Sequence, residues 1–147
     1  MEYLLDIGFL GTSAPYFMDI ILVYLLSLPI LMTFSILLVG NRKYGLHRFT
    51  QTLLFLLTVF VLFIFNYEIY IVVEKELFYL LLIELFFSIV ILIMWLRVIL
   101  FAVDDRRRKG LPGLYSSSHK KSGKRIFLVM LFMIFINTYL YWIVYVD

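Results

Sequence analysis

The chain has 147 residues, of which 64% are hydrophobic and 19% aromatic, and its mean hydropathy is +1.02. That is more apolar surface than a soluble domain of this length can bury, so the chain reads as an integral membrane protein. The lack of cysteine excludes disulfides, thiolate metal sites, iron–sulfur clusters and S-acylation, and a formal net charge of only +3 makes the placement of the basic residues more informative than their sum.

The first residues include Glu2 and Asp6 and no Lys or Arg, so the basic start of a cleavable secretory signal is missing and the first helix is expected to stay in the mature protein. Residues 3–10 read as a short amphipathic opening. Gly11-Thr12-Ser13-Ala14-Pro15 reads as a helix start, with Thr12 or Ser13 as N-cap and Pro15 in the first turn. The first helix is predicted over 14–40. Its uncharged part, 20–39, is 20 residues long, enough to cross a hydrocarbon core of about 30 Å. Pro29, near its middle, is expected to kink it and free a carbonyl for a neighbour to satisfy.

A polar connection over 41–48 holds Arg42, Lys43, His47 and Arg48, and the second helix is predicted over 49–72. Glu74-Lys75-Glu76 marks a short turn. The third helix, 77–103, is an apolar run with one acid, Glu84, near its start and one base, Arg97, near its end. A loop is predicted over 104–125, with a basic block Arg106-Arg107-Arg108-Lys109, a Gly/Pro/Ser middle, and a second block of His119, Lys120, Lys121, Lys124 and Arg125. The fourth helix, 126–146, is 21 residues without a charge. The expected fold is all-α: one transmembrane domain over 1–147, a four-helix bundle made of two helical hairpins. Helices 1 and 3 each carry an acid near one end, and helices 2 and 4 each follow a basic connection containing a histidine, a faint echo that fits a pair of hairpins.

Of the 13 Lys and Arg, three lie in the first connection and eight in the long loop, whereas Lys75 stands alone in the opposite turn. The positive-inside rule therefore predicts both basic loops in the cytoplasm and both termini outside. So strong a bias argues against a small multidrug exporter that inserts in both orientations.

An ionisable side chain at membrane depth costs several kcal/mol unless paired or solvated, so the buried acids are the first candidates for function. Counted from the predicted helix ends, Asp19, Glu68 and Glu84 all fall roughly 7 to 11 Å below the outer surface. Tyr141 and Tyr145 reach the same zone from helix 4, and Asn137 lies deeper. One reading makes the acids a shared site that binds a divalent metal or shares protons. The other makes them polar groups bonded to Tyr and Ser hydroxyls, with Asp19 and Glu68 near headgroup level. His47 and His119 fall near the cytoplasmic face, either as haem ligands on facing helices or as interfacial histidines.

Arg97 is expected to snorkel toward the cytoplasmic headgroups. Arg106, Arg107, Arg108, Lys109, Lys120 and Lys121 are read as a contact for anionic lipid or an acidic partner, not as a nucleic-acid site. Trp95, Trp142 and most of the Tyr and Phe residues are expected to face lipid or the interface. No nucleophile with a base and no phosphate loop is present in the sequence, so no enzymatic activity is expected.

Several motifs carry a family resemblance: Gly8-Phe9-Leu10-Gly11-Thr12, Phe17-Met18-Asp19, Tyr44-Gly45-Leu46-His47-Arg48 through Gln51, and a last hairpin with His119, Gly123 and Tyr141-Trp142. Together they resemble the small bacterial inner-membrane proteins of the domain of unknown function 420 family, over nearly the whole chain. The resemblance implies an accessory or assembly role beside haem–copper terminal oxidases, with Asp19, His47 and His119 as the matched polar positions and a membrane protein or a second copy as partner. It also implies a departure. Where related sequences carry a histidine near the start of the third helix this chain has Glu84, which disfavours haem and suits a hard cation or a proton. No resident cofactor is the expected state, with a divalent metal or haem as the alternatives.

Overall fold

A computed structural model describes residues 8–107 and 116–146, with side chains over 8–104 and 119–146. Four helices follow in order: α1 (Tyr16–Gly40), α2 (Tyr44–Val72), α3 (Phe78–Arg107) and α4 (Ser116–Tyr145), with a 3-10 turn at Lys75–Leu77 ahead of α3. The described residues are all-α, and each of the four helices contains a stretch long and apolar enough to cross a membrane. In lipid the backbone must satisfy itself, which a helix does within its own segment. At 1.5 Å per residue the 25 residues of α1 span about 37 Å and the 30 of α3 about 45 Å. Both exceed a hydrocarbon core of about 30 Å, so the helix ends project into the headgroup layers or the helices tilt.

Three boundaries differ from the sequence expectation. α2 begins at Tyr44 rather than 49, α3 continues to Arg107 rather than 103, and α4 begins at Ser116 rather than 126. His47, His119, Lys120, Lys121, Lys124 and Arg125 are therefore helical, not loop residues. The physical reason is that an apolar run marks where lipid begins, while Ser, Lys, Arg and His continue a helix beyond it at small cost. Arg108 and Lys109 of the first basic block lie outside the described residues, as do the side chains of Arg106 and Arg107.

The N-terminus of α1 also departs from expectation. Pro15 is the N-cap, with extended backbone and no side-chain cap. Thr12 and Ser13 spend their hydroxyls elsewhere, as described below. At the other end α1 closes in a Schellman turn, with Lys43 N–H donating to Leu38 O at 2.9 Å and Arg42 N–H to Val39 O at 3.0 Å. Arg42 holds the left-handed position, φ 59°, that glycine usually takes. Its charge sits at the negative end of the helix dipole, which offsets part of a backbone cost of about 1–2 kcal/mol.

Contacts run from α1 to α2, α2 to α3, α3 to α4 and α4 back to α1; α2 and α4 also touch, whereas α1 and α3 do not among the described residues. Side-chain contacts between neighbours show that each pair is antiparallel. Tyr24 meets Thr58 and Ser35 meets Thr50 across α1 and α2; Gln51 meets Trp95 and Tyr70 meets Phe78 across α2 and α3; Glu84 meets Asn137 and Phe87 meets Phe132 across α3 and α4; Ser13, just before α1, meets Tyr145 and Asp19 meets Tyr141 of α4. As numbers rise along one helix, they fall along the other.

The buried positions recur at spacings of three and four, as in Met18, Ile21, Leu25, Leu28 and Met32 on α1 or Leu81, Glu84, Ser88, Ile91 and Trp95 on α3. Trp95 is 2% exposed and corrects the lipid-facing expectation: its indole N–H donates to Gln51 Oε1 at 3.1 Å and its ring lies edge-on to Phe55. Trp142, 56% exposed, does face outward. Ile30, Phe60, Phe63, Ile93 and Phe135 form apolar outer faces suited to lipid. Since lipid is as apolar as leucine, the helices are held by close packing and polar bonds rather than by escape from water.

Candidate functional site

Glu84 sits two turns into α3 on the stripe that faces the other helices and is 0% exposed. Ser88, one turn further along, donates its hydroxyl to Glu84 Oε1. The side-chain amides of Asn137 from α4 and Asn66 from α2 interact with the same carboxyl. Three helices thus deliver one carboxyl, two amides and one hydroxyl to a single place.

The donors and acceptors there do not balance. Asn66 Nδ2 donates to Leu62 O at 2.9 Å, and Asn137 Nδ2 to Met133 O at 2.8 Å, each to the carbonyl one turn back. Each amide nitrogen thus spends one of its two N–H groups on its own helix and keeps the second for the Glu84 carboxyl. Glu84 Oε2, Asn66 Oδ1 and Asn137 Oδ1 are all buried without a hydrogen-bond partner. Most buried acceptors in folded proteins are paired, and an orphaned one costs about 1–3 kcal/mol. The unpartnered Glu84 Oε2 makes this a centre that attracts positive charge.

A second polar centre closes one end of the molecule. Asp19, in the first turn of α1 and 0% exposed, accepts from Leu10 N–H at 2.7 Å and from the Tyr141 hydroxyl. The helix dipole favours an acid there. Thr12 Oγ1 bonds Tyr141 OH at 2.8 Å, and both the hydroxyl and the N–H of Ser13 donate to Tyr145 O, at 2.8 and 3.1 Å. Gly8 is pressed against the carboxyl so closely that any Cβ would overlap it. The segment from Gly8 to Ala14 is thereby laced to the last turns of α4, and among the described residues the Asp19 carboxyl takes its hydrogen bonds from that strap and from Tyr141.

The three acids do not form one site. Asp19 has its own partners, Glu84 meets Asn137 one turn deeper along α4 than Tyr141, and Glu68 is half-buried beside Tyr145. Among the described residues no three His, Asp or Glu side chains gather into a set able to hold a metal ion. The expected common depth fails because α1 starts at Tyr16, which lifts Asp19 into the first turn, while Glu84 lies about 6 Å further in. Tyr141 and Tyr145, placed at the level of the acids from sequence, meet Asp19 and Glu68, and Asn137, expected deeper, meets Glu84. Ser88 and Asn66 were missed, as was the Gln51 bond to Trp95; a Ser one turn after a buried Glu was the signal available for Ser88.

His47 lies in the first turn of α2, its Nδ1 bonded to Ser35 O at 2.8 Å, and Ser35 Oγ bridges to Thr50 at 2.6 Å. This histidine ties α2 to α1. His119 stands in the first turn of α4. Arg97 is exposed, its guanidinium 5.1 Å above the Phe101 ring. Lys120 and Lys121 are exposed on α4. Two shallow surface depressions, one lined by Pro29, Ile30, Thr33, Phe34 and Leu37 and the other by Tyr70, Ile71, Val73, Lys75 and Phe78, do not include Glu84. Comparison with family models, with curated proteins and with solved structures returned no match, so the family resemblance rests on the quoted motifs.

Proposed function

We propose that the protein is a small proton- or cation-coupled membrane protein in which Glu84 is the group that takes up and releases the ion. One observation carries this reading: a fully buried carboxyl on a membrane-spanning helix, one of whose oxygens has no hydrogen-bond partner. A negative charge there needs a proton or a cation beside it, and intramembrane acids with this need are characteristic of ion pathways. The reading sets the protein in a bacterial inner membrane as a four-helix bundle of two hairpins, with both termini outside and the basic ends in the cytoplasm. The test is ion movement in liposomes carrying the purified protein and an internal pH dye. Wild type is expected to move protons or exchange them for cations, and Glu84→Gln to reduce the rate to that of empty liposomes; equal rates in the two would refute the proposal.

A second reading keeps the resemblance: an accessory or assembly factor for a haem–copper oxidase, contacting its partner through the apolar outer faces and the basic end. The observation favouring it is that Gly8, Thr12, Asp19 and Tyr141, quoted from opposite ends of the sequence, meet at one centre. Under this reading deletion lowers the amount of assembled oxidase, and Glu84→Gln restores it as well as wild type does.

A further inference from the structure

Glu84 is far from the middle of its helix. It stands six residues into α3, about 9 Å from the end of the molecule that the Gly8–Ala14 strap closes, with about 35 Å of the same helix on its other side. We infer that Glu84 exchanges its proton with one face of the membrane only, the face at the strap end, and that the Tyr145 hydroxyl carries the proton on that side. This rests on the ion-coupled reading above and deepens it.

Four buried side-chain polar atoms lack a hydrogen-bond partner among the described residues: Glu84 Oε2, Asn66 Oδ1, Asn137 Oδ1 and Tyr145 OH. Counted from Val72 on α2, Phe78 on α3 and Tyr145 on α4, all four residues lie within about 12 Å of the strap end. Open polar atoms of this kind are where water enters a protein interior. Asn137, Tyr141 and Tyr145 follow one another at single turns of α4, and side chains on a helix lean toward its N-terminus, so the row leans from the strap end back toward Glu84. Tyr141 is engaged by Asp19 and Thr12. Tyr145, 8% exposed and with its ring 5.3 Å from that of Tyr141, keeps its hydroxyl unbonded beside the half-buried Glu68.

On the far side of Glu84 the bundle is closed. Leu28, Leu62, Ile91, Met130 and Met133, none more than 2% exposed, fill it from all four helices roughly 15 to 23 Å from the strap end. The hydroxyls at that depth are already spent: Ser88 donates to Glu84 Oε1, and Tyr24 and Thr58 bond each other and Leu54 O. Of the titratable groups turned toward the interior, Asp19, Glu68, Tyr141 and Tyr145 lie on the strap side of this layer, Tyr24 is bonded within it, and His47 lies beyond it, tied to Ser35. A dry apolar constriction passes neither water nor ions. A proton leaving Glu84 therefore goes by water to the Tyr145 oxygen, which takes it on a lone pair and releases its own hydrogen to the Glu68 carboxylate and the medium. Glu84 keeps the negative charge, Tyr145 ends neutral, and uptake runs in reverse.

The experiment is labelling of the wild-type protein in its membrane with dicyclohexylcarbodiimide, read by mass spectrometry of the peptide containing Glu84, while the pH is changed on one face at a time. This uncharged reagent reaches the acid through lipid and reacts with its protonated form. The carbodiimide takes the acid's proton on nitrogen, bonds the carboxyl oxygen at its central carbon, and rearranges to an N-acylurea that keeps the whole reagent. Spheroplasts and inverted vesicles with strongly buffered interiors present opposite faces to the bath, and a thiol at Lys75→Cys, in the turn at the strap end, identifies the face. With the strap end in the bath, labelling should fall about tenfold for each pH unit above the midpoint of the acid's titration, and with the other end in the bath the same change should leave the rate within about twofold. Equal responses from both faces, or a response from the opposite face alone, would overturn the inference and leave the ion-coupled reading standing. Labelling that follows the pH of neither face, or no labelling at all, would overturn the ion-coupled reading itself. Tyr145→Phe removes an oxygen that bonds nothing, so the variant should unfold at the wild-type temperature in detergent while proton movement in liposomes slows about tenfold or more. An unchanged rate, or a lowered unfolding temperature, would overturn the part given to Tyr145.

Discussion

At the residue scale, the sharpest dependencies surround Asp19. Tyr141→Phe removes one hydroxyl that serves both Asp19 and Thr12. It leaves a buried carboxylate oxygen with one donor fewer, and the expected loss is about 1–3 kcal/mol, seen as a lower unfolding temperature in detergent. Gly8→Ala should be destabilising too, because its Cβ needs the space the carboxyl occupies. The double variant should lose less than the two losses added, since both act on one group; strict additivity would mean that the strap and Tyr141 act independently. The sequence made Asp19 and Glu84 legible as residues, because a charge in an apolar run stands out whatever the fold. Their partners were harder to read. Asn66 and Ser88 are common polar residues, and only the rotation of α2 and α3 about their axes decides whether they face an acid or lipid.

At the scale of the helices, that rotation is the quantity composition hides, because every face of these segments is apolar. Polar residues mark it in retrospect. Glu84, Ser88 and Trp95 fall on one stripe of α3, and Trp95 spends its N–H on Gln51 of α2. Two tryptophans of equal hydrophobicity therefore have opposite roles. Trp95→Ala should cost about 3–5 kcal/mol through the cavity it leaves, while Trp142→Ala, on the outer face, should change the unfolding temperature little. Similar losses in the two would place Trp95 outside the core. Helix number and order were legible from the apolar runs, and each predicted run lies almost entirely within an observed helix. The starts of α2 and α4 were not, because the helical hydrogen-bond pattern continues through polar residues after the apolar signal has stopped.

At the scale of the whole molecule, antiparallel neighbours put the N-terminal end of α1 beside the C-terminal end of α4, and the basic starts of α2 and α4 at the opposite end. The lack of cysteine makes sidedness directly measurable. Lys43→Cys and Gly123→Cys should react with an impermeant thiol reagent only after inner-membrane vesicles are inverted, and Lys75→Cys only in intact spheroplasts; the reverse pattern would invert the proposed orientation. The lacing of Ser13 to Tyr145 and of Asp19 to Tyr141 also sets an order of events during synthesis. Asp19 enters the membrane with the first helix, yet the hydroxyl that completes its bonding lies 122 residues later. Until the fourth helix has been made and released beside the first, that carboxylate must be kept by water, by lipid headgroups or by the insertion machinery. A chain cut short before Tyr141 would expose it for good, giving membrane proteases a chemical mark of incomplete translation.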